Sequence, residues 1–308
     1  MAAAAAVVLL AGCGRGSVDS PPVSMPAEDY VAGVEKWRAD HDASYRRGYV
    51  TIAGLHALKD GANTAGSARA NDVVLPASTP PVIGRFMLSG GKVRYEPAPS
   101  VPVLRDGQPV TSPIDLQDDS TPKPDELTIG DVRLVVHPSG DTRSIRVRDP
   151  NGEQARGFLG FTWFPIDTKW RVTGRFIPDA APRRAKVLNT YGDVDEYATE
   201  GVVEFTLDGQ TLRLRPFTTR PKRFYFVFRD ASSGHETYEA ARFLYSDLAD
   251  DGTTVLDFNQ AYNPPCAFNP YTTCPIPLAE NRLTVKILAG EKAYPVHVPL
   301  PGAGAGAR

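Results

Sequence analysis

Beyond Gly48 the chain breaks into short runs of β-branched and aromatic residues, each closed by glycine, proline or aspartate, and this punctuation limits the folds open to it more than any other feature. The runs cover 49–52, 72–75, 85–88, 93–96, 101–104 and 132–137, with turns such as Ser89-Gly90-Gly91 and Asp106-Gly107 between them. A second strand-rich half follows the turn Asp149-Pro150-Asn151-Gly152, with strands expected over 170–177, 202–207, 211–215, 223–229 and 283–288. The run from Arg223 to Arg229 is apolar on both faces, which predicts a central strand covered on both sides. The 27 Gly and 28 Pro suit many turns between short strands and are too many for a helical protein. Segment 118–126, with four acidic residues and two prolines, is expected as an exposed loop. The fold class is therefore mainly β: two β-sandwich or barrel-like domains with one N-terminal amphipathic helix.

That helix is expected over 26–46, where Tyr30, Val34, Trp37 and His41 share one face, with Ser24 or Met25 as cap and Pro26 near its first position. Ahead of it the apolar, uncharged segment 2–10 ends in Leu10-Ala11-Gly12-Cys13, which resembles a bacterial lipobox. The resemblance implies lipidation of Cys13, a Gly/Ser/Pro-rich tether to residue 26, and an exported protein lipid-anchored to the bacterial cell membrane. No Lys or Arg precedes Cys13, so a basic n-region is expected upstream of Met1. The division that follows is 1–26 signal and tether, 27–150 helix plus first sandwich, 151–300 second β domain, and 301–308 a Gly/Ala-rich disordered tail.

Lys and Arg number 34 against 36 Asp and Glu, so the net charge of −2 provides no field to attract nucleic acid. No apolar run reaches the roughly 18 residues of a spanning helix. With Cys13 acylated, Cys266 and Cys274 remain as an even pair, and in an oxidising compartment a disulfide between them is expected to staple the proline-rich loop around them. Its closed loop is short, worth roughly 2.5 kcal/mol in the chain-entropy account. A metal site using both cysteines and His297 is the lesser alternative, because their spacing matches no common zinc motif.

Several blocks resemble the bacterial family called domain of unknown function 1684. They include Asn71-Asp72-Val73-Val74-Leu75-Pro76, Trp163-Phe164-Pro165, Glu236-Thr237-Tyr238, Arg242-Phe243-Leu244, the stretch from Asp257 through Asn263-Pro264-Pro265-Cys266 to Phe268, and Glu280-Asn281-Arg282-Leu283. The resemblance runs over nearly all of the mature chain and brings no assigned activity. The first half is also weakly similar to a forkhead-associated sandwich, through Gly61, Gly66-Ser67, the 71–75 block and Asp106-Gly107. It departs from that family where phosphothreonine is gripped: Ser67 replaces the arginine, and Thr79-Pro80-Pro81 replaces the serine and histidine pair. Phosphopeptide reading is therefore not expected.

Two polar clusters are candidates for chemistry. Asp230, His235, Glu236, Tyr238 and Arg242 follow the buried run, and they serve either acid and base work or a capped turn in which Arg242 pairs with Glu236. Asp257, Asn259, Tyr262 and Asn263 precede the prolines and suit either a small polar ligand or a self-satisfied loop, with Arg282 pairing Asp257 or Glu280. His56 and His137 read as satisfied core or edge residues, and Trp37, Trp163 and Trp170 as core aromatics. There is no nucleophile elbow, phosphate loop, zinc-protease helix or dinucleotide fingerprint, and no cofactor or metal is expected. The expected function is a binding module for a small polar or glycan-like ligand, held by Asp230, Tyr238, Arg242, Asn259, Tyr262 and Arg282. A hydrolase using Glu236 or Asp257 as general acid or base is the alternative, and a purely structural envelope protein is the third possibility.

Overall fold

Residues 27–299 are described by the computed structural model; Cys13, the tether, the helix cap and the 301–308 tail lie outside them. Alternating apolar residues build the first half as two sheets around one core. A five-stranded sheet contributes Phe86, Leu88, Val93 and Tyr95, and a six-stranded sheet contributes Leu127, Leu134, Val136, Ile145 and Val147. In the six-stranded sheet, strand Thr142–Arg148 lies between Ile52–Ala57 and Val132–Ser139. The expected run at 49–52 is instead a 3₁₀ turn, Tyr49–Thr51, which delivers the chain into Ile52–Ala57.

The second half holds a long hairpin, Arg171–Leu188 with Val194–Leu207, flanked by Gln210–Leu214 and Thr253–Asp257. A three-stranded sheet places Arg223–Phe228 between Phe217–Arg220 and Arg242–Asp247. Phe224, Phe226 and Phe228 enter one core with Val203 and Leu256, and Tyr225 and Val227 enter another with Tyr45, Phe243 and Tyr262. This strand is covered on both faces, as its two-sided apolar run predicts. Residues 283–288 are not a strand. Leu283, Val285 and Ile287 alternate into the core, but the segment's backbone is tied to a loop, with Leu283 N–H donating to Arg229 O at 2.8 Å and Ala231 N–H to Val285 O at 2.8 Å.

Helix Ala27–Arg47 carries Glu28 and Asp29 in its first turn and Arg46 and Arg47 in its last, matching the helix dipole. It buries Tyr30, Val34 and Tyr45, and its Trp37 and His41 rings pack on Tyr262 of the second half. Tyr45 adds ring contacts to Phe161 and Phe268 and Trp37 one to Trp163, and further contacts between the halves are polar. Asn269 Nδ2 donates to Tyr49 O (3.0 Å) and Ile52 O (2.8 Å), Ser139 Oγ donates to Asp193 (2.7 Å), and Asn189 Nδ2 donates to Ser139 Oγ (2.7 Å).

Candidate functional site

The first sequence-predicted cluster is a buried network that satisfies Asp230 and leaves Arg242 Nε without a partner. Arg242 Nη1 meets Asp230 Oδ2 at 2.7 Å with both side chains 0% exposed, and Arg242 also donates to the carbonyls of Ile287 and Ala289. The other Asp230 oxygen accepts from Ser232 N (2.8 Å), Ser232 Oγ (2.6 Å) and Ile287 N (3.2 Å). Glu236 therefore has a different partner from the one weighed in the sequence: it sits at the surface on Lys286 at 2.6 Å, whose hydrogen bond holds its carboxyl below the usual range. Tyr238 is buried against Cys266, and His235 is exposed.

The second cluster is committed to the helix. Asp257 accepts from Tyr30 OH (2.9 and 3.0 Å) and from Asn259 N (3.1 Å), while Asn259 Nδ2 reaches Tyr30 OH and Asp167 O. Burial raises the Asp257 carboxyl in spite of these bonds. Asp257 and Tyr262 line a cleft of about 520 Å³ with Trp37, Arg171, Arg223 and Tyr245. Arg282 is exposed and pairs with neither expected partner; Glu280 is held by Arg215 at 2.9 Å and Arg183 at 3.3 Å. The expected disulfide is absent: Cys266 and Cys274 are free buried thiols, with Cys266 N–H donating to Cys274 Sγ at 3.3 Å. The loop is fastened by hydrogen bonds instead, through Asn269 and through Thr190, whose hydroxyl donates to Thr272 O (2.9 Å) and accepts from Cys274 N (3.1 Å). Among the described residues no group of three or more His, Cys, Asp or Glu is placed to hold a metal.

Sequence reasoning passed over the cleft between the halves. Antiparallel pairing sets Val135 opposite Arg146 and His137 opposite Ser144, and the period of two turns Arg146 and Arg148 outward while Ile145 and Val147 enter the sandwich core. Asp119 belongs to the segment expected as an exposed loop, yet it turns inward, with its N–H donating to Val136 O at 2.9 Å. Its Oδ1 lies 2.9 Å from His137 Nδ1, and its Oδ2 accepts from Arg146 Nη1 at 2.6 Å. His137 Nε2 lies 2.9 Å from Thr273 Oγ1, across the boundary between the halves. These groups line a cleft of about 530 Å³ with Arg148, Tyr197 and Tyr225.

The electrostatics of this cleft are one-sided. Arg146 and Arg148 face a single carboxylate, Asp119. Arg146 has a side chain 9% exposed, and its Nε has no hydrogen-bond partner. Burial lowers the Arg148 guanidinium, and the charge of Arg146 lowers it further. Burial works to raise Asp119, but the His137 hydrogen bond and the neighbouring arginines outweigh it and leave the carboxyl below its usual range. The site is a desolvated cationic recess with a hydrogen-bonded Asp–His–Thr chain along one wall.

This is a mainly β protein. Residues 156–292 match the family described as "Protein of unknown function (DUF1684)". The match covers the blocks from Trp163 to Leu283 rather than nearly all of the mature chain, as expected from the sequence, and the Asn71–Pro76 block lies outside it. An uncharacterised protein of Haloarcula marismortui, solved by solution NMR, is 30% identical over 46% of this chain and 80% of its own, with a TM-score of 0.39. A forkhead-associated domain from a study of phosphothreonine-dependent interactions is 17% identical over 31% of this chain and 93% of its own, with a TM-score of 0.22. Mycobacterium tuberculosis EmbR, solved with a low-affinity phosphopeptide, is 18% identical over 40% of this chain and 30% of its own, also with a TM-score of 0.22. No curated protein matches the chain.

Proposed function

We propose that the protein is an exported, lipid-anchored binding module that holds a small polar ligand bearing a carboxylate or phosphate in the cleft between its halves. The observation that carries this reading is Arg146: a guanidinium buried with an unpartnered Nε, beside a second arginine, in a recess with one carboxylate. Leaving a buried charged donor unpaired is costly, and a ligand oxyanion removes that cost through charge-assisted hydrogen bonds. The hydrolase reading through Glu236 or Asp257 is weaker, because each carboxylate already has its own partner, Lys286 or Tyr30.

Titration calorimetry with inorganic phosphate and succinate tests the site. Binding is expected with at least one of them and should weaken as salt rises. Arg146→Gln and Arg148→Gln should each weaken it by roughly tenfold or more, the scale of one charge-assisted bond. Absence of binding by either anion, or affinity unchanged in both variants, overturns the reading. Anchoring rests on the Leu10-Ala11-Gly12-Cys13 order. In a bacterial host, palmitate labelling and membrane fractionation should both be lost in Cys13→Ser, and an unlabelled wild-type chain would refute the anchor.

A further inference from the structure

We infer that Thr273, His137 and Asp119 form a nucleophile, base and orienting chain that removes an acyl group from an ester bound in the cleft. The inference rests on reading that cleft as a ligand site. Asp119 Oδ1 at 2.9 Å from Nδ1 fixes that nitrogen as the N–H donor, which leaves Nε2 as an acceptor 2.9 Å from Thr273 Oγ1. A hydroxyl in contact with a base, and that base oriented by a third group, is the arrangement that activates a weak alcohol nucleophile. Asp119 is itself fixed by Arg146, so the chain is braced at its far end. Thr273 is half-buried and His137 is reachable from the cleft, so the reacting atoms adjoin open space.

In the first step Thr273 Oγ1 bonds to the ester carbonyl carbon as its proton passes to His137 Nε2. The tetrahedral intermediate carries negative charge in a recess lined by Arg146 and Arg148, which favours it. The bond to the leaving alcohol then breaks, the electron pair departs on the alcohol oxygen, and His137 returns its proton to that oxygen. Water, deprotonated by His137, attacks the acyl-threonine, releasing the acid and restoring the hydroxyl. No metal, oxidant or second substrate is needed. The same two arginines favour acyl donors that carry a negative charge of their own. Asp119 is a positioning residue; Thr273 and His137 make and break bonds, and Arg146 and Arg148 hold the negative charge of substrate and intermediate.

The test uses the exported chain with p-nitrophenyl acetate and mono-p-nitrophenyl succinate, following p-nitrophenol release and the intact mass of the protein. An acyl adduct mapped to Thr273 is expected, with faster release from the succinate ester. Thr273→Ala should abolish both signals, Thr273→Ser should retain them, and His137→Gln should slow release by roughly 100-fold or more. Asp119→Asn should slow it and change the pH profile, which a merely structural contact would not do. Calorimetry of succinate binding separates this inference from the binding reading. Succinate bound normally with no release above buffer would leave the binding site standing and make the Asp–His–Thr chain a clasp between the halves. Release that persists in Thr273→Ala overturns the inference as well. If succinate fails to bind yet the uncharged acetate ester still acylates Thr273, the anion reading falls and the nucleophile remains.

Discussion

At the scale of single residues, the buried Arg242–Asp230 pair shows how enclosed charge is held by its partner. Arg242 and Asp230 are both fully enclosed, and every Asp230 oxygen has a donor. Removing one partner strands the other, so Asp230→Ala should cost about 3–5 kcal/mol in chemical denaturation, while Asp230→Leu with Arg242→Met should recover most of it. A double variant as unstable as the single one would show that the pair contributes more than mutual neutralisation. Glu291 is a different case. It accepts from Asn263 N (2.8 Å) and Nδ2 (2.7 Å), but burial pushes its carboxyl up to about 8, against those bonds and the charge of Arg242. An acid whose folded value lies above its ordinary 4.5 stabilises the protein fully below 4.5, and that stability is lost as pH rises towards 8. The melting temperature should therefore fall between pH 5 and 8, and Glu291→Gln should flatten that slope. The residue before it explains the placement: Gly290 has φ +73°, and a Cβ there would lie 2.2 Å from Ala261 O. Glycine is required at this position.

At the scale of elements, periodicity was legible where one face is apolar and obscure where polar residues serve an interface. The helix stripe Tyr30, Val34, Trp37 and His41, and the two-sided run 224–228, follow directly from their spacing. Strand Thr142–Arg148 escaped notice because only Ile145 and Val147 mark its inner face, while Arg146 and Arg148 read as ordinary surface charge. The candidate site was hidden for the same reason: its residues come from positions 119, 137, 146 and 273, and only pairing across Val132–Ser139 and contact between the halves assemble them. The helix yields its own prediction. His41 stacks within 4.1 Å of Tyr45, 4.7 Å of Tyr262 and 5.0 Å of Trp37, and burial pushes its imidazole down to about 4. A base depressed from its ordinary 6.5 contributes stability above 6.5 that is lost as pH falls towards 4, because only the unfolded chain takes the proton. Helix docking, read by tryptophan fluorescence of Trp37, should loosen across that window in the wild type and much less in His41→Phe. Equal loosening in both would place the acid sensitivity elsewhere.

At the scale of the whole molecule, the sandwich core is separate from the two cores built on the second half. The sandwich core draws its buried residues from Leu58 through Val147, a second core lies wholly in the second half, and a third combines the second half with Tyr45 of the helix and Val50 of the turn after it. What joins the sandwich to the rest is a set of hydrogen bonds around the cationic cleft, through Asn269, Ser139, Asn189 and the His137–Thr273 contact. Interfaces of this polar kind couple two cores weakly, since each bond contributes only about 1 kcal/mol net. Losing Asn269 strips Tyr49 O and Ile52 O of a donor, and losing the Ser139 hydroxyl removes one partner each from Asn189 and Asp193. Asn269→Ala combined with Ser139→Ala should therefore resolve one calorimetric unfolding transition into two. Asn63→Ala, which breaks bonds to Lys59, Gly61 and Phe86 within the sandwich alone, should shift the melting temperature without creating a second transition. If the double variant still unfolds in one step, with calorimetric and van't Hoff enthalpies equal, the halves are one cooperative unit and the cleft is a rigid seam. Two transitions would make the cleft a joint that a bound anion can close, and succinate or phosphate should then merge them again by mass action.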